Sequence, residues 1–209
     1  MKAIPSFAAA AALVLSVLST NAQVTVTWAG RITSGLGEAD GTELAVGDLV
    51  RVGTFTLTET QIQQQQNDLS ALAAGFVEFG SAAIGDGFNI PSHWTKTSNG
   101  STLSLGINTD RIYFWAFNAP SIGAATQQGI FTSTVSDWVF PTDGDVIASR
   151  DIDLQQVDHI VVGAFGTGTS SATLSPLYNL APVPEPASAA TFFALVCAGG
   201  VFLVRRCRQ

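Results

Sequence analysis

Between residues 23 and 182, apolar and polar positions alternate in short runs, and this pattern predicts a mainly β domain. Residues 23–28 (QVTVTW) and 49–57 (LVRVGTFTL) alternate with a period of two and are rich in β-branched and aromatic side chains. Further short runs rich in Val, Ile, Phe, Tyr and Trp lie at residues 76–84, 102–107, 111–117, 129–132, 138–140 and 159–165. We interpret all of these runs as strands.

Turn signals separate the predicted strands. Gly, Asn and Asp cluster at residues 35–37, 40–41, 86–87, 99–100, 108–110 and 143–145. Many short strands separated by such turns are typical of a β-sandwich or a jelly-roll. No internal repeat is evident, which argues against a solenoid or a propeller. The predicted fold is therefore a single, mainly β domain of the sandwich or jelly-roll type over residues 23–174.

Residues 58–74 (TETQIQQQQNDLSALAA) break the alternation and predict one amphipathic helix packed on the sheet. Thr58 and Gln61 fit a capping box at its start. A helix over this segment would place a set of apolar side chains on one face and the glutamines on the other: Ile62, Leu69, Leu72, Ala73 and Phe76. A flexible loop through the glutamine run is the alternative.

The composition changes again from Thr167, where the chain becomes rich in Gly, Ser, Thr and Pro. Residues 170–174 are predicted to form a last strand. Residues 175–182 predict an extended linker that would lift the domain off a membrane.

The first 22 residues have the pattern of a secretory signal peptide. Lys2 supplies a positive n-region, and residues 7–18 supply a 12-residue apolar h-region. The small residues Thr20 and Ala22 predict cleavage between Ala22 and Gln23. An uncleaved membrane anchor is the alternative, although 12 residues are short for a span. The chain is thus expected to leave the cytoplasm through a secretion translocon.

The last 27 residues combine three features in order. A proline-rich box comes first and consists of Val183, Pro184, Glu185 and Pro186. The apolar stretch 187–204 follows, and its 18 residues predict a transmembrane helix near the lower length limit for crossing a bilayer. The basic end, residues 205–209, contains arginines that favour keeping it in the cytoplasm: Arg205, Arg206 and Arg208. A plain C-terminal anchor is the alternative.

This arrangement resembles the PEP-CTERM sorting signal, in which a Pro-Glu-Pro box precedes one transmembrane helix and an Arg-rich end. The resemblance covers residues 183–209 only and assigns no family to residues 23–182. It implies that the box is recognised by an exosortase, a membrane transpeptidase-like enzyme with a Cys/Arg/His active site. It also implies that the helix is removed or exchanged, and that the protein reaches the outer surface, where extracellular polysaccharide is a candidate partner.

Charge and cysteine content narrow the classes of function. The whole chain carries −7, but residues 23–182 hold 15 acidic and five basic residues, a net of −10. Such a domain repels phosphate backbones, which excludes nucleic acid as a partner. The two cysteines, Cys197 and Cys207, both lie in the C-terminal tail. The exported part is therefore expected to have no disulfide and no thiol chemistry.

Residues that could carry enzyme chemistry are few. The chain has two histidines, His93 and His159, and nothing in the sequence places either one beside a nucleophile or a set of metal ligands. The metalloprotease, nucleophile-elbow and phosphate-loop motifs do not occur. Glu78 lies inside an apolar run, but a β protein with 15 acids yields candidate glycosidase pairs by chance. We expect no catalytic residue, no cofactor, and structural or solvent-exposed histidines.

The densest acidic cluster consists of Asp143, Asp145, Asp151 and Asp153. Calcium takes six to eight oxygen ligands, which alternating aspartates could supply in part. The spacing does not match an EF-hand loop, however, and Asp-Gly-Asp is also typical of a turn. We therefore interpret these aspartates as turn-forming residues and expect no metal site.

The chain has four tryptophans, and they suggest the hypothesis that the domain binds carbohydrate, because flat aromatic rings stack on sugar faces. In alternating strands half of the aromatic side chains must face the core, so core packing is favoured for any single ring. Three hypotheses remain at this point. The first is a non-catalytic exported surface or extracellular-matrix protein, and the second is a lectin-like module that binds exopolysaccharide. The third is a secreted hydrolase, which would need a cleft with two carboxylates or with a histidine beside a Ser or Asp.

Overall fold

The computed structural model describes residues 23–144 and 148–184, and this part of the chain is mainly β with a few short helices. The strands are β1 Val24–Gly30, β2 Gly35–Gly37, β3 Leu49–Phe55, β4 Phe76–Ala83, β5 Trp94–Gly100, β6 Tyr113–Phe117, β7 Gln127–Thr132, β8 Ser149–Asp153, β9 His159–Val162, β10 Ala164–Thr169, β11 Pro176–Asn179 and β12 Ala181–Pro182. The helices are α1 Glu59–Gln64, α2 Leu69–Ala74 and α3 Thr102–Leu105, with 3₁₀ turns at Ile122–Ala124 and Leu154–Gln156. The predicted mainly β class is confirmed.

The strands form three sheets. The largest has the order β12-β7-β6-β3-β4, and β9 also pairs with β7. Two three-stranded sheets have the orders β5-β1-β8 and β10-β11-β2. Neighbouring strands are antiparallel except for the pairs β1–β8 and β11–β2, which are parallel. This arrangement of several packed sheets with few helices is consistent with a β-sandwich.

The central strand β6 is buried on both faces, because alternate side chains enter two different apolar cores. Phe114 and Ala116 pack in the larger core, whereas Trp115 and Phe117 pack in the smaller one. The larger core also contains three fully buried tryptophans, Trp28, Trp94 and Trp138. The smaller core is covered by the two helices α1 and α2. The five-residue run YFWAF is therefore apolar at every position because neither of its faces is exposed to water.

The predicted single helix over residues 58–74 is wrong, because the structure has two short helices there. The capping box of Thr58 and Gln61 is present and starts α1. The first helix ends at Gln64 with Gln65 as its C-cap. The Asp68 side chain then accepts a hydrogen bond from the Ala71 amide and caps α2. Asp68 therefore divides residues 58–74 into two helices, because aspartate is favoured at a helix N-cap and disfavoured inside a helix.

Three further local predictions from the sequence are wrong. Residues 102–107 are not a strand, since the Ser101 side chain caps the helix α3 and Gly106 ends it in the left-handed conformation (φ 71°). The predicted turns at 35–37 and 99–100 lie in β2 and at the end of β5. The run 159–165 is two strands, β9 and β10, separated by Gly163 with φ 117°.

The predicted linker at residues 175–182 is also wrong. Residues 170–174 form a turn rather than a last strand, and β11 and β12 follow it. Leu177, Tyr178 and Leu180 are buried in this segment, with at most 6% of each residue exposed. Burial of these side chains stabilises the segment on the domain, so the folded part extends to the start of the proline-rich box.

The predicted signal peptide 1–22, the apolar stretch 187–204 and the basic end 205–209 lie outside the described residues. Within residues 23–144 and 148–184, no helix is long and apolar enough to cross a membrane.

Candidate functional site

The chain leaves the domain along an edge of the largest sheet, at the start of the proline-rich box. Ala181 and Pro182 pair with Gln128 and Gln127 of β7. The Val183 amide then donates a hydrogen bond of 2.8 Å to the Thr126 carbonyl. The first residue of the box is thus held by the folded domain, whereas Glu185 and Pro186 lie outside the described residues.

A cleft of about 450 Å³ borders this exit point. Val183 and Pro184 form part of its wall, opposite the start of α2 and the turn that precedes β7. The lining residues are Asn67, Asp68, Leu69, Ser70, Ile122, Gly123, Ala125, Thr126, Val183 and Pro184. The sequence alone does not associate residues 67–70 and 122–126 with the proline-rich box. Only the tertiary fold brings these two segments beside it.

The other predicted cleavage point also lies at a boundary of the fold. Gln23 is exposed and precedes β1, which begins at Val24. Cleavage before Gln23 would therefore leave β1 complete. Ala22 lies outside the described residues.

His93 is fully buried and joins two separate parts of the chain. Its Nδ1 lies 3.2 Å from the Gly30 carbonyl oxygen and 3.0 Å from that of Arg31. Because both partners only accept, Nδ1 carries the proton and donates it. The other ring nitrogen, Nε2, is hydrogen-bonded to the hydroxyls of Ser170 and Thr173 at 3.1 and 3.2 Å. The ring connects the end of β1 to the turn between β10 and β11.

A serine hydroxyl bonded to a histidine, as in Ser170 and His93, is also the nucleophile–base pair of many hydrolases. Here, however, the pair is closed off from solvent. Both residues have no exposed surface, so a substrate does not reach the Ser170 hydroxyl in this conformation. The cleft at the chain exit is lined by other residues. The imidazole is held by backbone carbonyls on one side and by turn hydroxyls on the other. We call this arrangement a buried pin, because the ring joins two separate segments of the chain through hydrogen bonds.

His159 contacts a carboxylate at the surface, and Glu78 forms a half-buried ion pair. The His159 Nε2 atom lies 3.0 Å from the Glu59 carboxylate, and both side chains are more than 40% exposed. Glu78 pairs with Arg51, whose guanidinium carbon lies 4.9 Å from the Phe76 ring centroid. Glu59 is thus held by a histidine, and Glu78 is held by an arginine of the neighbouring strand.

The three described aspartates of the acidic cluster do not meet at one point, because Asp143 lies on Thr102 whereas Asp151 and Asp153 lie on Arg31. Asp143 accepts from the backbone and hydroxyl of Thr102 at 2.8 and 2.6 Å. Asp151 and Asp153 both pair with Arg31, at 2.6 and 3.5 Å. Burial raises the pKa of the Asp153 carboxyl above its ordinary value. Asp145 lies outside the described residues, and the described residues contain no group of three or more metal-ligating side chains.

Asp143 provides a prediction about pH. Hydrogen bonds from the Ser101 and Thr102 side chains lower the pKa of its carboxyl. The ionised carboxylate therefore stabilises the fold above the unfolded-state pKa of about 3.9, and this contribution disappears as the pH falls through the lower folded-state pKa. We expect Asp143→Asn to reduce the urea midpoint at pH 7, and the difference from the wild type to shrink in acid. Asp137→Asn, at an exposed position, is the control; an equal loss for Asp143→Asn at both pH values would contradict the assignment.

The tryptophan rings required by a stacking-type lectin surface are not available on the described surface. All four residues, Trp28, Trp94, Trp115 and Trp138, have no exposed area. The preference for core packing is confirmed, and it holds for every tryptophan rather than for half of the rings.

No protein-family model, no curated protein and no solved structure matches this chain.

Proposed function

We propose that this protein is an exported, non-catalytic component of the cell surface or extracellular matrix, sorted through a PEP-CTERM tail by an exosortase-type enzyme. In this proposal the described residues are a single β-sandwich domain, and residues 183–209 are the sorting signal. The secretion translocon exports the chain, and residues 1–22 are then removed. Extracellular polysaccharide is the candidate partner of the protein after sorting.

The observation that carries this proposal is the position of the box relative to the fold. The last described backbone hydrogen bond of the chain is the one from Val183 to Thr126, and the Pro-Glu-Pro motif starts at the next residue. Gln23, at the other predicted cleavage point, is likewise the residue just before β1. Both processing steps would therefore cut outside the strands and leave the domain folded.

The domain itself supports a passive role. His93 is buried and bonded to backbone carbonyls and turn hydroxyls, and His159 contacts Glu59 at the surface. Asp143 is held by Thr102, and Asp151 is held by Arg31. Its net charge of −10 over residues 23–182 favours solubility in the extracellular space.

Residues 187–209 are proposed to hold the chain in the membrane by their hydrophobicity and their charge. The 18 apolar residues 187–204 favour the hydrocarbon core, and a helix satisfies their backbone groups internally. The three arginines that follow favour the cytoplasmic side. The box is then placed at the outer face of the inner membrane, where a membrane enzyme of the exosortase type reaches it.

Replacing Pro184, Glu185 and Pro186 by alanine in the full-length chain tests this proposal. We expect the variant to be exported and folded but to accumulate in the inner membrane, because the recognition element is lost while the apolar stretch remains. Fractionation into membrane, surface and medium measures the effect. Ser188→Ala, which changes the apolar stretch just beyond the box, should sort like the wild type. Sorting of the triple-alanine variant at the wild-type level would refute the proposal.

A further inference from the structure

We infer that β12 is a releasable strand, and that the sorting enzyme engages the box only after Ala181, Pro182 and Val183 have separated from β7. The inference rests on the proposed function and adds a conformational step to it. The juxtaposition that carries it is the pairing of the box's first residue with Thr126, directly beside the cleft at the chain exit.

The strand β12 is attached weakly. It has two residues and lies at the edge of its sheet. Pro182 is exposed to solvent, and as the non-hydrogen-bonded partner of Gln127 it contributes no backbone hydrogen bond to β7. Ala181 is half-buried and contributes only a methyl group to the smaller core. Separation of this strand would therefore break few hydrogen bonds and expose little apolar area, as in the low-energy opening of chain ends.

The residues immediately before β12 are attached firmly, which sets the limit of the release. The Leu180 amide donates to the Gly37 carbonyl at 2.8 Å, and Leu180 is 2% exposed. The Asn179 side chain donates to the Glu38 carbonyl at 2.6 Å. The Tyr178 hydroxyl donates to the Val157 carbonyl at 3.0 Å. We therefore place the hinge between Leu180 and Ala181.

The distance between the domain and the bilayer explains why release is needed. With Val183 bound to Thr126, three residues separate it from the apolar stretch, and three extended residues span about 10 Å. The headgroup layer on each side of a bilayer is about 5–8 Å thick. The domain would then rest almost against the headgroups, with Pro184 against the cleft, and an enzyme could not surround the box. Releasing Ala181, Pro182 and Val183 extends the free segment to six residues, about 20 Å.

A reversible disulfide across the strand pair tests this step directly. Pro182 and Gln127 are directly opposite each other in the antiparallel register. The neighbouring hydrogen bond from Val183 to Thr126 makes the 182–127 pair a non-hydrogen-bonded one, whose Cα atoms are typically about 4.5 Å apart. That separation is compatible with a disulfide. The locked chain carries Gln127→Cys and Pro182→Cys, with Cys197 and Cys207 replaced by alanine so that the tail cannot compete.

The readout is the fraction of chains with a processed C-terminus, measured by mass spectrometry before and after a reductant is added. We expect the locked chain to stay unprocessed and to be processed after reduction. The two single-cysteine variants should be processed without reductant; Gln127→Cys also controls for losing the Gln127 contacts to Glu38 and Ala39. A six-residue Gly/Ser insertion after Pro182 should restore processing while the disulfide is intact, because it supplies the missing reach.

The outcomes separate this inference from the function on which it rests. If the oxidised locked chain is processed at the wild-type rate, release of β12 is not required, and the inference is wrong while box-dependent sorting stands. The inference also fails if the insertion does not rescue the locked chain. If the triple-alanine box variant is processed like the wild type, the proposed function itself fails.

Discussion

Replacement of Phe114 by alanine is expected to lower the free energy of unfolding by about 3–5 kcal/mol, the usual cost of removing a buried phenylalanine ring. Phe114 is fully buried, and its ring centroid lies 4.7 Å from that of Trp138 and 5.8 and 5.9 Å from those of Trp94 and Trp28. These tryptophans come from different parts of the chain and meet around one ring. The cavity left by alanine would remove contacts to all three, and large rings do not collapse into it easily.

Urea denaturation of residues 23–184 followed by tryptophan fluorescence measures this loss. Leu103→Ala is a suitable control, because Leu103 is 70% exposed and its truncation should change stability by less than about 0.5 kcal/mol. If Phe114→Ala costs no more than the control, the larger core is not organised around Phe114.

The second large effect is expected at His93. His93→Ala should destabilise the domain by about 3 kcal/mol, because it leaves the Gly30 and Arg31 carbonyls without their buried donor and opens a cavity. The turn that contains Ser170 and Thr173 would also lose its anchor.

The matched control is the other histidine of the chain. His159→Ala removes an exposed side-chain contact with Glu59, and exposed pairs of this kind typically contribute about 0.2–1 kcal/mol or less. Denaturation of both variants should therefore separate them by about 2 kcal/mol or more. Equal costs at the two positions would contradict the role of His93 as a buried pin.

The strands found from sequence are those in which the local pattern reflects burial. The alternating run at 49–57 contains β3, and the apolar run at 111–117 contains β6. Both lie inside the largest sheet, where apolar side chains are needed on at least one face. The mainly β class followed directly from such runs.

The strands missed from sequence are those whose residues look like turns or loops. Trp94–Gly100 is polar at most positions because β5 is an edge strand and exposes one face. Gly35–Gly37 forms β2 where a larger residue would not fit: an added Cβ at Gly35 would lie 2.9 Å from the Ser92 side chain. Here glycine provides close approach rather than a turn, and only the tertiary neighbours distinguish the two uses.

The same limit applies to the candidate sites. The burial of His93 and its contact with Ser170 join positions 77 residues apart, which no local pattern encodes. The composition of residues 175–182 predicts a linker, yet Leu177, Tyr178 and Leu180 are buried and fix the segment on the domain. The proline-rich box, in contrast, is a run of neighbouring residues, so the proposed sorting signal is a prediction that local sequence alone supplies.

The central claim, that the chain is exported and processed at the proline-rich box, is tested most directly by intact mass spectrometry of the protein from membrane, medium and matrix fractions. We predict a mature form that begins at Gln23 and ends near Pro184, absent when Pro184, Glu185 and Pro186 are replaced by alanine. A full-length C-terminus retained in the inner membrane by both the wild type and the variant would contradict the account and indicate a plain membrane anchor.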